Sequence, residues 1–84
     1  MLSEYVSPLT APPGGLMTED AGAITGDLDL RSTCTADGVV QVKVRYTGAE
    51  DWYRVRGGQC KLSDPADHGA VHALLVGVLN RPAG

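Results

Sequence analysis

Phenylalanine is absent from the sequence, and its only aromatic residues are one tryptophan and three tyrosines. A core without phenylalanine must be built from smaller aliphatic side chains, chiefly valine, leucine, alanine and isoleucine. The chain has 84 residues, which allows one domain with a small hydrophobic core. We therefore expect a single domain of modest stability.

Targeting and membrane-spanning segments are also missing. No apolar run approaches the roughly 20 residues that a helix needs to cross a bilayer. Residues 1–8 lack the basic and apolar stretches of a signal peptide. We expect a cytoplasmic protein with no membrane partner, in which the two cysteines stay reduced. Lysine is rare beside arginine, alanine, glycine and valine, a bias typical of a GC-rich bacterial genome.

The sequence carries no signature of catalysis. It has neither a Gly-x-Ser-x-Gly elbow nor an ordered triad context. No glycine-rich phosphate loop precedes a helix, because Gly57 and Gly58 fall inside a strand pattern. A domain this small also offers little concave volume for a substrate. We expect no enzymatic activity and no cofactor.

The N-terminal third is rich in proline and glycine, which interrupt helices and central strands. We predict that residues 1–22 form a flexible segment and that residues 23–84 form a single β-β-β-α domain. Within the segment, residues 3–6 could add a short edge strand, and Leu16 and Met17 could dock on the core.

Alternation of apolar and polar residues predicts three strands within residues 24–34, 40–47 and 53–56. A three-residue loop ending at Gly38 pairs Cys34 with Val40. A four-residue loop at positions 48–51 pairs Tyr46 with Tyr53. Along the third strand, apolar residues stand at odd positions up to Val55 and at even positions after it. This change predicts a one-residue β-bulge at Gly57 and Gly58.

A helix is predicted after the third strand, because Asp64 can cap it and Pro65 suits its first position. An apolar stripe at helical spacing follows, formed by Val71, Leu74, Leu75, Val78 and Leu79. We expect Gly77 to allow close packing against the sheet. The predicted fold class is α+β: a three-stranded antiparallel meander packed against one C-terminal helix, with a flexible N-terminal tail.

The cysteines and histidines allow a metal-site hypothesis. The predicted register places Cys34 and Cys60 two strand spacings apart, about 9 to 10 Å, whereas a disulfide requires Cα atoms within about 7 Å. His68 and His72 stand four residues apart on the helix, so a small zinc-stabilised domain is one alternative. The paired-cysteine knuckle of a zinc finger is absent, however. We expect no metal ligands and two partly exposed histidines beside the apolar stripe.

The same register exposes a basic sheet face. We predict Arg45 opposite Arg54 and Lys43 opposite Arg56, and like charges directly across strands are destabilising. Asp29 would reduce the repulsion between like charges at one edge of the cluster, and the carboxylates of Glu19 and Asp20 could pair with its cations. The predicted partner-binding residues of this outer face are Arg31, Lys43, Arg45, Trp52, Arg54 and Arg56.

A basic cluster beside an aromatic residue is typical of an anion-binding surface. The sequence therefore predicts a small interaction or regulatory module that binds an acidic partner protein. Arginine would form bidentate bonds to carboxylates, and Trp52 would act as an apolar anchor. Nucleic-acid binding through the same face is the alternative, although the net charge of −3 opposes it. A homodimer formed through a strand edge is a related hypothesis.

Overall fold

The computed structural model describes residues 3–82, and within them it shows one six-stranded antiparallel sheet followed by an α-helix. The strands are β1 (Ser3–Thr10), β2 (Leu16–Thr18), β3 (Gly22–Ile24), β4 (Asp27–Cys34), β5 (Val39–Tyr46) and β6 (Tyr53–Lys61). A 3-10 turn at Pro65–Asp67 leads into helix α1 (His68–Leu79). The strand order across the sheet is β1-β4-β5-β6-β2-β3.

The predicted three-stranded meander with a flexible tail is wrong, because the segment predicted to be flexible supplies β1, β2 and the first residue of β3. Strand β1 pairs with β4 along its whole length, from Ser3 opposite Cys34 to Thr10 opposite Asp27. Pro8 is tolerated because β1 lies at the sheet edge, where a missing N–H breaks no ladder bond. The short edge strand considered for residues 3–6 therefore continues to Thr10.

The register between β4 and β5 is confirmed. Cys34 lies opposite Val40, and Leu28 lies opposite Tyr46, with the pairs between them as predicted. Alternate residues of both strands are buried, so a slip by one residue would turn a whole strand inside out. Gly38 closes the connecting turn with φ +88°, a conformation that favours glycine.

The register between β5 and β6 differs from the prediction by two residues, which keeps the same side chains on each face. Val44 lies opposite Tyr53 and Lys43 opposite Arg54, so the predicted four-residue loop and the Arg45–Arg54 pairing are wrong. An irregularity follows at the predicted position. It is larger than one residue, since residues 55–58 of β6 face Val42 alone between the flanking pairs.

The sheet is strongly curved. Two residues, Thr25 and Gly26, connect the end of β3 to the start of β4, a link that spans at most about 11 Å. In a flat sheet of this strand order, β3 and β4 would lie four strand spacings apart, about 19 Å. The two edges must therefore approach each other, and Ala11 donates a backbone hydrogen bond to Gly26 there, at 2.9 Å.

The concave side of the sheet holds the core. Its buried members are aliphatic or small, and they come from both ends of the sheet: Leu9, Ala11, Leu16, Ile24, Leu28, Leu30, Cys34, Val40, Val42 and Val44. Leu16 thus docks on the core as considered, whereas Met17 is exposed. Within residues 3–82, no helix has the length and hydropathy that a membrane span requires.

Helix α1 lies along β1 and also contacts β4. Asp64 caps the 3-10 turn by accepting a hydrogen bond from the Ala66 amide, as predicted. The predicted buried stripe is only partly correct, because Leu74 and Val78 are 67% and 55% exposed. Gly77 faces open space, so the expected close packing there is wrong.

We predict that Gly38→Ala destabilises the protein by about 2 to 4 kcal/mol. A side chain at φ +88° is strained, and its Cβ would also collide with the backbone carbonyl of Leu62. Gly48→Ala is the matched control, since φ there is +82° but no atom lies within 4 Å, so only about 1 kcal/mol is expected. Urea denaturation of the two variants measures the difference, and equal losses would contradict the close contact.

Candidate functional site

The outer, convex face of the sheet brings most of the predicted basic residues together. Arg31 lies opposite Lys43, and Lys43 lies opposite Arg54, so three cations form a row across β4, β5 and β6. Arg45 is two residues along β5 from Lys43 and therefore shares its face. Arg56 lies farther along β6, in the irregular stretch.

Carboxylates accompany every arginine of this face. Arg45 bonds Asp29 at 2.9 Å, and Arg54 bonds Asp20 at 2.7 Å. Longer ion pairs join Arg31 to Glu4 at 3.6 Å and Arg56 to Glu19 at 3.7 Å. The expectation of an uncompensated, destabilising basic cluster is therefore wrong, and masking by Glu19 and Asp20 is what the structure shows.

Asp20 holds the turn between β2 and β3 against β6. Its carboxylate accepts hydrogen bonds from the Arg54 guanidinium and from the Arg54 backbone amide, at 2.7 and 2.8 Å. These bonds lower the pKa of Asp20 to about 2. The site therefore already binds a carboxylate, supplied by the chain itself.

Trp52 covers the middle of the outer face. The guanidinium carbons of Arg31 and Arg45 lie 4.3 and 4.6 Å from the centroid of its ring, within cation–π distance. The half-buried ring therefore reaches across β5 toward β4 and lies against two arginines.

A cleft opens beside the row of cations, where the β6 irregularity widens the sheet. Its volume is about 280 Å³, and Lys43, Arg54, Gln41 and Gln59 are among its lining side chains. Lys43 is the one cation of the predicted site that pairs with no carboxylate in the described part of the chain. The cleft thus combines a lysine that has no carboxylate partner among the described residues with two neighbouring amide side chains, and Glu19 also lines it.

On the concave side, two histidines and three serines form a continuous hydrogen-bonded chain. Ser3 Oγ bonds His68 Nδ1 at 2.5 Å, and Ser32 Oγ bonds His68 Nε2 at 2.8 Å. Ser32 Oγ also bonds His72 Nδ1 at 2.6 Å, and His72 Nε2 bonds Ser7 Oγ at 2.8 Å. Both imidazoles are buried, so the prediction of partly exposed histidines is wrong.

The chain can be satisfied with both histidines neutral. A neutral imidazole has one donor and one acceptor nitrogen, and a serine hydroxyl donates one proton. Ser32 can donate to one ring and accept from the other, and all the bonds of the chain then run in one direction. Burial lowers the pKa of His68 and His72, and the nearby His68 lowers that of His72 further. The network supplies hydrogen bonds without charge.

Tyr5 covers this network from the solvent side. Its ring packs edge-on against His68 at 4.8 Å and lies 5.4 Å from His72. The one signal in the sequence was Ser32, a hydroxyl within a buried apolar face, since buried hydroxyls need partners. Nothing in the sequence shows that the partners come from positions 68 and 72.

The same geometry bears on the metal and disulfide hypotheses. In the described residues, no three His, Cys, Asp or Glu side chains are close enough to hold a metal ion. Both imidazoles are already bonded to serines, so the zinc-stabilised domain is not supported. Cys34 and Cys60 flank Val40 on separate strands, as predicted, and both are free thiols, one buried and one exposed.

No protein family model, curated protein or solved structure matches this chain.

We predict that Ser32→Ala destabilises the fold by about 2 to 4 kcal/mol, because it leaves one nitrogen of each buried imidazole without a partner. The matched control is Ser63→Ala, an exposed position, which should change the free energy of unfolding by less than about 0.5 kcal/mol. Urea denaturation near neutral pH gives both values. A loss no larger at position 32 than at position 63 would show that the network contributes nothing.

We predict that stability falls as the pH drops below about 6.5, the pKa of histidine in an unfolded chain. The folded pKa values of His68 and His72 are lower, so the unfolded state takes up protons first. The loss is at most about 1.4 kcal/mol per histidine per pH unit. Above this pH the histidines are neutral in both the folded and the unfolded state, so they should no longer lower the free energy of unfolding.

Urea denaturation between about pH 7.5 and about pH 5 measures this slope. The chain has only two histidines, and the pKa of Asp20, about 2, lies outside the range. The double variant His68→Gln, His72→Gln is the control and should flatten the profile. A profile that is already flat in the unaltered protein would contradict the burial of neutral imidazoles.

Proposed function

We propose that this chain is a small non-enzymatic interaction module whose outer sheet face binds an acidic segment of a partner protein. The observation that carries the proposal is the cleft beside Lys43 and Arg54, where an unpaired lysine meets an exposed guanidinium. A carboxylate of the partner would enter this cleft and bond Lys43.

The ion pairs of the face support carboxylates as the ligand. Asp20 already forms two short bonds to Arg54, which is the geometry that a partner's Asp or Glu would reproduce. Arg54 and Arg56 have side chains that are 61% and 64% exposed, so both can exchange an internal carboxylate for an external one. Trp52 offers an aromatic surface beside them for apolar groups of the partner.

The same carboxylates disfavour the nucleic-acid alternative. Glu4, Glu19, Asp20 and Asp29 pair with the four arginines and leave little net positive charge on the face. Nucleic-acid binding requires the neutralisation of several phosphates, whereas one carboxylate of an acidic partner needs only Lys43 or an exchange at Arg54. We keep nucleic acid as an outcome of the test.

The cytoplasm of a bacterial cell is the proposed compartment, since free thiols such as Cys34 and Cys60 are typical of reducing conditions.

We predict that Lys43→Ser weakens binding of a short labelled peptide of alternating Asp and Glu by about tenfold, the equivalent of one charged hydrogen bond. Lys61→Ser is the matched control, because Lys61 is the only other lysine and lies exposed at the end of β6. Asp20→Asn should strengthen binding, since it frees the Arg54 side chain while keeping an oxygen for the Arg54 amide. Fluorescence anisotropy of the label measures all three.

Two outcomes would reject the site. Equal weakening by Lys43→Ser and Lys61→Ser would show a general charge effect, and an unchanged affinity in Asp20→Asn would exclude exchange of carboxylates at Arg54. Labelled duplex DNA and RNA, measured at low salt, complete the experiment. Tighter binding of either nucleic acid, with an affinity that falls linearly in log salt, would replace the acidic partner.

A further inference from the structure

The solvent-facing side of helix α1 carries no polar side chain. Residues 68–79 contain no ionisable group except the two buried histidines. Leu74 and Val78 project into solvent, flanked by the exposed small residues Ala70, Ala73 and Gly77. An ordinary surface helix has a charged outer face, so this one has the composition of an interface.

A groove runs beside this helix, because α1 covers β1 and β4 but leaves β6 open. Two cavities of about 170 and about 310 Å³ form the groove, and they share Val42, Gly57, Gly58 and Leu75 as lining residues. At 100° per residue, Val71 and Val78 lie on the side of the helix that borders the groove, and Leu74 follows next. Leu74 and Val78 form a ridge that continues into the groove, whose lining is mainly apolar but includes Arg56 and Gln59.

We propose that a second copy of this chain covers this surface, with the two α1 helices packed antiparallel about a two-fold axis. A two-fold interface must be complementary to itself, and this surface provides both a ridge and the groove that can receive it. Leu74 lies at the midpoint of the helix, so the axis passes beside it. Leu74 of each copy then meets Leu74 of the other at the axis, and Val78 of each copy enters the groove of the other.

Charge also favours a second copy in this arrangement. Asp64 and Asp67 lie at the start of the helix and Arg81 lies just past its end, all exposed. Antiparallel helices place the acidic start of one copy beside Arg81 of the other. Two molecules of net charge −3 repel each other over most of their surfaces, and the uncharged helix is where they can approach.

The size of the molecule limits such an interface. The molecule measures 35 × 26 × 21 Å, so an entire broad face spans about 900 Å², and helix α1 with its groove covers only part of it. The interface is therefore smaller than the standard of about 800 Å² per partner, which predicts a weak dimer. Ala70, Ala73 and Gly77 add little bulk, which lets two helix axes come within about 8 to 10 Å.

Sedimentation equilibrium across micromolar to millimolar concentrations tests the proposal. We expect a monomer–dimer equilibrium, and Leu74→Lys should raise the dissociation constant at least about tenfold because it sets two like charges at the axis. Lysine is a good helix former, so the fold should persist, as circular dichroism checks. Val6→Lys is the matched control, an exposed apolar residue of β1, 51% accessible, which should leave the dimer unchanged.

A cross-linking experiment tests the geometry independently. In a Cys60→Ser background, Leu74→Cys should oxidise to a covalent dimer, because the two-fold axis brings the Cα atoms of both copies near disulfide distance. Val6→Cys in the same background should not. A protein that stays monomeric at every concentration would overturn the proposal. So would a dimer that Leu74→Lys leaves intact, which would point instead to pairing through the edge strands β1 or β3.

Discussion

The position of helix α1 depends on a short line of hydrogen bonds between two neutral histidines and three serines. Ser3 and Ser7 come from β1 and Ser32 from β4, so the two imidazoles fix the helix above these two strands. Buried polar groups are costly unless all are paired, and here each ring nitrogen has a partner. The helix is therefore held at one side of the sheet, and the face of β6 is left open beside it.

The outer face is organised by a different interaction, the pairing of arginines with carboxylates from the N-terminal strands and turns. Glu4 belongs to β1, and Glu19 and Asp20 belong to the turn after β2. The same contacts tie these segments to the sheet and reduce the positive charge of the face. The distinguishing feature of the site is therefore local. Among residues 3–82, Lys43 pairs with no carboxylate, and it lines a cleft created by the irregularity of β6. The two proposed surfaces adjoin at the irregularity of β6, where Val42, Gly57 and Gly58 line both the cleft and the groove.

Several features could be predicted from the sequence because they depend on local patterns. The alternation around Val42 gave the register of β4 with β5, and the parity change after Val55 located the irregularity. The N-terminal strands could not be predicted in this way, because Pro8 is acceptable only at a sheet edge and the sequence does not show which strand is the edge. The helix stripe was misjudged at Leu74, since spacing cannot tell a core contact from an unpartnered apolar surface.

The sequence by itself determined which side chains share a face of β4 and β5, because the two-residue repeat of a strand leaves no other choice. It also located the 3-10 turn that leads into the helix, through the Asp64 cap. Only the tertiary structure decided that the chain's own carboxylates neutralise the arginines and that His68 and His72 are buried against Ser32. These contacts join residues from 16 positions apart, as in Arg45 and Asp29, to 65 positions apart, as in Ser3 and His68. They depend on how a curved sheet brings its strands together, which no local pattern encodes.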